Sequence, residues 1–345
     1  MVERVDGTRM QLPIEQIGGV VVLGRGVDCS SGLMLALAER GRATVFLGAA
    51  GEVTGLFSHP CAPRGRALEA RAAQHAIEHA RRAGGAAAEL PRRVARGVLN
   101  EKLLAIEAIL AQHDRSHADV DLTEPRRTVA DFRARIAANA DDIDQLRGIE
   151  GAASAAYWQA MPALFRGGLT TARRTRRPPR DECNAALSFG YALLLGEMCA
   201  AIALEGLEPA LGVLHPPDDS GARPSLALDL MEPWRHAVID RLVLRAANRR
   251  ELGVLHFEKT TDEGGEPVVM LNADGRREFL SLYSQAMQSG CGAGGGTVRG
   301  ALFRAVRAHA ELIISAAEGP TAMSQDDRAT RPTVAAATGA SPDQA

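Results

Sequence analysis

Arg147-Gly148-Ile149-Glu150-Gly151-Ala152-Ala153, Leu214-His215-Pro216-Pro217 and Ser225-Leu226-Ala227-Leu228-Asp229-Leu230-Met231-Glu232-Pro233 lie within residues 147–246. They set a glutamate, a histidine and an aspartate in three segments, each among small or apolar residues. Carboxylate oxygen and imidazole nitrogen together suit Mn²⁺, or Mg²⁺ where carboxylates and waters fill most of the shell. An ion held with open positions can orient a phosphodiester and activate its attacking oxygen. Spacing alone does not bring the three together. It describes equally well a helix-surface Glu150, a loop His215 and a helix-cap Asp229.

The local pattern sharpens each position. On a 3.6-residue period Glu150 shares a face with Ala153, Ser154 and Tyr157, small enough in part for a helix or a DNA strand to approach. The prolines after His215 hold its backbone extended. Ser225 is a candidate N-cap, and Asp229 and Glu232, three apart, fall on one side of a helical turn. Pro233 then kinks or restarts a helix that runs to Arg249. Glu232 is a further ligand, a ligand orienter or a charge favoured by a helix N-terminus, and ranks below Asp229. Upstream, Arg166, Arg173, Arg174, Arg176, Arg177 and Arg180 form a basic loop with no acid between them. Such a loop is a solvated surface or a DNA contact, the latter through Arg173, Arg174, Arg176 and Arg177. Asp181 or Asn184 can cap the next helix. Its apolar run Ala185–Leu204 nears membrane-span length, but Ser188, Gly190, Glu197 and many alanines make it a buried central helix.

Residues 1–60 read as β-rich. Val20–Leu23 and Ala43–Leu47 are strands with a short helix, Ser30–Arg40, between them. Gly24-Arg25-Gly26 lacks a third spaced glycine and no P-loop lysine follows, which excludes a nucleotide cradle. A helix over Arg66–Ala83 ends at Gly84-Gly85. Pro91 opens a longer one to about Leu110, with Leu99, Leu103, Ile106 and Leu110 as core. His113–Pro125 reads as a loop, and Thr128–Asn139 and Asp141–Ala163 as helices. Leu255-His256-Phe257 and Val268–Leu271 are short apolar pieces around an acidic turn. Gly275–Gln288 and Ala301–Ala317 are helical, with a flexible Gly290–Gly296 between them. Residues 318–345 carry few large apolar side chains and are expected to be disordered. The fold class is α+β: a small N-terminal β-rich domain followed by a larger all-helical catalytic domain. The expected boundaries are 1–90, 91–320 and a tail, 321–345.

Formal net charge is −2 and the sequence pI about 6.5. Bulk charge therefore announces no nucleic-acid binder, and a DNA surface has to be a local patch. Lys102 and Lys259 are the only lysines among 40 basic residues, so arginine supplies nearly all positive charge. Cys29, Cys61, Cys183, Cys199 and Cys291 form no CxxC pair, which argues against a zinc site or disulfide framework. With no signal-peptide pattern, a cytoplasmic location and no membrane association are expected.

Four stretches carry a family resemblance. They are Gly148 to Trp158; Arg177-Pro178-Pro179-Arg180-Asp181 with Asn184 to Tyr191; Leu214 to Pro217; and Arg223 to Glu232. In order and spacing they resemble the CRISPR-associated integrase of the adaptation module, densely over about residues 147–280 and more weakly over 15–146. The resemblance implies a metal-dependent DNA integrase that joins the 3′-hydroxyl ends of a short duplex into a CRISPR array. Glu150, His215 and Asp229 match the family's ligands for Mg²⁺ or Mn²⁺, so removal of any one should abolish chemistry and leave the fold intact. It also implies a homodimer, its N-terminal region used for dimerisation, working with a small ferredoxin-like adaptation partner. The family places a lysine near Val98–Asn100; Val98 stands there, so that phosphate contact is missing or falls to Lys102. Two alternatives stay open: a stand-alone branched-DNA endonuclease of the same fold, and a non-catalytic helical DNA-binding scaffold. Deleting residues 321–345 should leave the melting temperature and DNA joining unchanged, as thermal unfolding and a joining assay would report; a large drop in either would show that the tail docks.

Overall fold

The computed structural model describes residues 2–3, 9–24, 26–48, 51–59, 66–84, 89–116, 119–139, 142–215, 217, 223–291 and 295–317. The expected tail therefore lies outside the described residues, as do Gly85, Pro216 and the middle of the Gly290–Gly296 loop.

A short pair, β1 (Val2–Glu3) and β2 (Arg9–Met10), comes first. β3 (Val20–Leu23) and β4 (Thr44–Leu47) then run parallel, joined by α1 (Ser31–Glu39). β5 (Val53–Phe57) pairs antiparallel to β4, giving the order β3-β4-β5. Ser30 caps α1, its hydroxyl accepting from Leu33 N. The strand–helix–strand pattern of the sequence is thus realised without a nucleotide loop.

The helical part opens with α2 (Ala67–Ala83), which stops at Gly84, φ 68°. Glycine adopts that left-handed conformation without strain. Next come α3 (Glu89–Ser116), α4 (Thr123–Asn139) and α5 (Ile143–Leu164). The loop expected over His113–Pro125 is shorter than that. α3 continues to Ser116, and α4 begins at Thr123, whose amide donates to Asp121 Oδ1 at 3.0 Å. Pro125 then falls in the first turn, where its missing N–H costs nothing.

α6 (Glu182–Leu204) is long and apolar enough to span a membrane. Here it is the central core helix, packed by β4 and by α7 (Ser225–Trp234), β7 (Pro267–Leu271) and α10 (Val298–Ala317). Asp181 caps it, accepting from Asn184 N at 2.7 Å. Val45 and Leu47 of the sheet share one core cluster with Leu194, Met198 and Ile202 of α6.

Pro233 does not end its helix. α7 passes into a π-helical turn, Arg235–Asp240, and then α8 (Arg241–Asn248). The wide turn begins two residues after Pro233, which lacks an amide hydrogen, a usual neighbourhood for such a bulge. β6 (Phe257–Thr261) pairs antiparallel with β7, Phe257 opposite Leu271, so the two short apolar pieces form one hairpin within the helical part. α9 (Ala273–Gln288) and α10 complete the chain.

Gly190 of α6 sets how closely the π turn approaches. A Cβ there would lie 2.6 Å from Ile239 Cγ2 and 2.9 Å from Phe279 Cζ. Gly190→Leu should therefore cost at least about 1–3 kcal/mol by overpacking, read as a lower melting temperature. Gly148→Ala, which meets nothing within 4 Å, should be neutral or slightly stabilising; equal losses in both would contradict this packing.

Candidate active site

Lys102 of α3 lies at the centre of the site. Its ammonium pairs with Glu150 Oε1 of α5 and, at 2.9 Å, with Glu232 Oε2 of α7. Lys102 is 3% exposed and Glu232 4%. Ser154, one turn along, donates to Glu150 Oε1 at 2.8 Å, so the small face around Glu150 supplies a hydroxyl as well as room. Arg235 Nη1 holds the other oxygen of Glu232 at 2.8 Å. The Lys102–Glu232 contact is an ion pair without hydrogen-bond alignment, and Glu232 Oε2 is buried with no aligned donor. Burial alone would raise both carboxyls. The adjacent cations outweigh it and hold Glu150 below the ordinary carboxylate value and Glu232 far below it.

Asp229, 2% exposed, organises the histidine loop. Its Oδ2 accepts from Val213 N at 2.7 Å and Leu214 N at 2.8 Å. Its Oδ1 accepts from His215 N at 3.1 Å and meets His215 Nδ1 at 2.7 Å. A carboxylate partner assigns the ring proton to Nδ1 and leaves the Nε2 lone pair available. Gly212 permits this tight fold, since a Cβ there would lie 2.7 Å from Ser225 carbonyl carbon. Arg147 Nε donates to Leu214 O at 2.7 Å, tying the loop to α5 one turn before Glu150.

A buried polar network lies beyond Arg235, and sequence reasoning missed it. Asp240 accepts from Tyr157 at 2.9 Å and Tyr191 at 2.5 Å, and His236 Nδ1 lies 2.7 Å from the same carboxylate. Burial first, then the Asp240 charge, pushes both tyrosine hydroxyls well above their ordinary range. Tyr157 shares the Glu150 face and was legible to that extent; the π turn that aims His236 and Asp240 inward was not.

The four loop arginines separate. Arg173, Arg176 and Arg177 are exposed. Arg174 turns inward: it donates to Asn184 Oδ1 at 2.8 Å and Ser188 Oγ at 3.2 Å, and its guanidinium lies 5.6 Å from the Trp158 ring centroid and 5.5 Å from that of Tyr191. It is a strut of the fold, and DNA contact from this loop rests on the other three.

The donor types fit a hard divalent ion, and Glu150 and Glu232 already converge on one cation. However, among the described residues no three His, Cys, Asp or Glu side chains form a ready metal cluster. The expected trio is therefore not assembled as a cage. Glu150 is paired with Lys102, while Asp229 spends its lone pairs on the loop and on His215. Glu232 carries an unaligned buried oxygen, and Asp229 stands behind the histidine.

The model of the family "CRISPR associated protein Cas1" matches residues 1–285. This chain belongs to the Cas1 family. A relative from Rhodospirillum rubrum, CRISPR-associated endonuclease Cas1 2, is 35% identical over 296 residues, covering 83% of this chain and 80% of that one. Two solved structures share the fold. One is a chain of a Cas6-RT-Cas1--Cas2 complex, with TM-score 0.72 at 19% identity over 90% of this chain. This chain spans only 32% of that polypeptide. The other is a casposase bound to integration product, with TM-score 0.63 at 20% identity, covering 89% of this chain and 86% of that one.

Within this Cas1-family fold the acidic residues should differ in what their loss does. Asp229→Ala orphans the buried Val213 and Leu214 amides and should cost about 3 kcal/mol or more, visible in thermal unfolding, where the sequence alone suggested a fold-neutral change. Glu150→Gln, which keeps the Ser154 contact, should shift the melting temperature far less; the reverse order would contradict the loop-anchor role. Neutralising Arg173, Arg176 and Arg177 together to Gln should reduce the salt slope of DNA binding by about 2–3, whereas Arg174→Gln should chiefly lower thermal stability. An unchanged slope in the triple variant would return the loop to an ordinary solvated surface.

Proposed function

We propose that this chain is a metal-dependent nuclease of CRISPR adaptation that acts as an integrase, joining 3′-hydroxyl ends of short DNA duplexes into a repeat array. The observation that carries it is the convergence of Glu150 and Glu232 on one buried cation, with Asp229, one turn back along α7 from Glu232, orienting His215. Family membership supports it, as do the similarity to an endonuclease relative and to a casposase bound to integration product.

The chain's own contributions are positional. Glu150, Glu232 and His215 Nε2 are the proposed ligands, and Asp229 fixes the ring. A bound Mg²⁺ or Mn²⁺ would supply charge for the transition-state oxygens and ease ionisation of the attacking hydroxyl. Arg173, Arg176 and Arg177 face solvent where a phosphate backbone can reach them. The nucleophile is the DNA 3′-oxygen: it bonds to a target phosphorus as that phosphorus releases the target's own 3′-oxygen, and the hydroxyl proton passes to solvent. One phosphodiester replaces another, so no ATP is consumed. We further propose that the chain works as a homodimer, with residues 1–90 and 91–320 as its two domains. The Cas1–Cas2 assembly named for a structural neighbour supports a small adaptation partner.

With Mn²⁺ or Mg²⁺ and that partner, a short duplex with free 3′-hydroxyls should become covalently joined to supercoiled target DNA. EDTA or 3′-deoxy ends should abolish joining, the latter with binding intact. Metal-dependent cutting of branched DNA with no joining, in the presence of the partner, would favour the stand-alone nuclease; no metal-dependent chemistry at all would favour a scaffold.

A further inference from the structure

We infer that Lys102 is a built-in competitor for the metal position: its ammonium holds Glu150 and Glu232 together in the metal-free protein and must leave Glu150 before an ion can bind there. The inference rests on the metal reading above and adds to it a residue that sets how readily the site loads.

Three observations carry it. First, one Nζ contacts both carboxylates, from helices 48 and 130 positions away, so the ammonium stands at the point where those helices present negative charge. An ion drawn to the same oxygens meets a like charge in a poorly solvated place, and both cannot share Glu150 at low cost. Second, the surroundings allow an exchange. Arg235 secures Glu232 independently, and Ser154 steadies Glu150, so neither carboxylate loses every partner when Lys102 moves. Third, the residue type matters. Nearly every other basic position in this chain is arginine, whose planar fork would clamp a carboxylate through two bonds, yet this one is a lysine. A compact ammonium on a flexible stem pairs as a point charge and releases more readily. An ordinary structural ion pair would share the burial but would predict no link to metal affinity.

The test is Mn²⁺ binding to the DNA-free full-length protein by calorimetry, alongside thermal unfolding with and without metal. Lys102→Met should bind Mn²⁺ about tenfold more tightly than wild type, because the competing charge is gone. Its melting temperature should fall in EDTA, and Mn²⁺ should raise it by more than in wild type. Equal or weaker Mn²⁺ binding by Lys102→Met would overturn the inference. Wild type that binds no Mn²⁺ at this site would instead sink the metal reading itself. If Lys102→Met does not fold, the wild type still decides. Amine acylation followed by mass spectrometry reads Lys102 against Lys259, which is 63% exposed on its side chain and serves as the internal standard. Mg²⁺ should increase labelling of Lys102 severalfold relative to Lys259; unchanged labelling at saturating Mg²⁺ would refute its release.

Discussion

Buried negative charge is the constraint on which the catalytic half of this molecule depends. Glu232 is almost fully enclosed and Glu150 largely so, and such a carboxylate remains ionised only where cations or hydrogen-bond donors meet it. Lys102 and Arg235 meet that need. In doing so they fix the relative positions of α3, α5 and α7, three helices far apart in sequence. Asp229 solves the same problem differently, with backbone amides and an imidazole, and its solution builds the loop that presents His215. The acidic residues are thus held by two distinct devices, one through cations and one through the main chain.

The apolar framework serves this arrangement. α6 supplies a nearly featureless hydrophobic column on which the N-terminal sheet, α7 and α10 all pack. Glycine at 190 lets the π turn come close, and that turn aims His236 and Asp240 at Tyr157 and Tyr191. Arg174 reaches the same aromatic cluster from the arginine loop. Arg235, which holds Glu232, also lies 5.4 Å from the Tyr191 ring centroid, so ring contacts and an ion pair link the loop proposed to meet DNA to a carboxylate proposed to hold metal.

Much of this was legible in the sequence because local chemistry specified it. Val20–Leu23 and Ala43–Leu47 announced strands by apolar runs closed by glycine, the second observed from Thr44, and Gly84 announced the end of α2 through the left-handed conformation it adopts. Asp181 and Asn184 were both candidate caps by residue type and position, and Asp181 takes the role. Glu150, His215, Asp229 and Glu232 were all singled out, but the partners of each carboxylate were not, because these are set by neighbours that only the fold supplies. Periodicity could not show that Lys102 points at two carboxylates from other helices, since that is a tertiary fact. Nor could it show that Arg174 turns inward while the arginines beside it do not. The start of α4 was missed because Asp121 accepts the Thr123 amide from outside the periodic segment, and the kink or restart expected at Pro233 did not specify a π turn, which leaves no periodic trace.

The most direct measurement is anomalous diffraction from crystals of the full chain soaked in Mn²⁺. The account predicts a manganese peak within bonding distance of Glu150, Glu232 and His215 Nε2, with Asp229 still on His215 Nδ1 and Lys102 moved off Glu150. A saturated peak elsewhere, or one at the site with Lys102 still seated on Glu150, would contradict it.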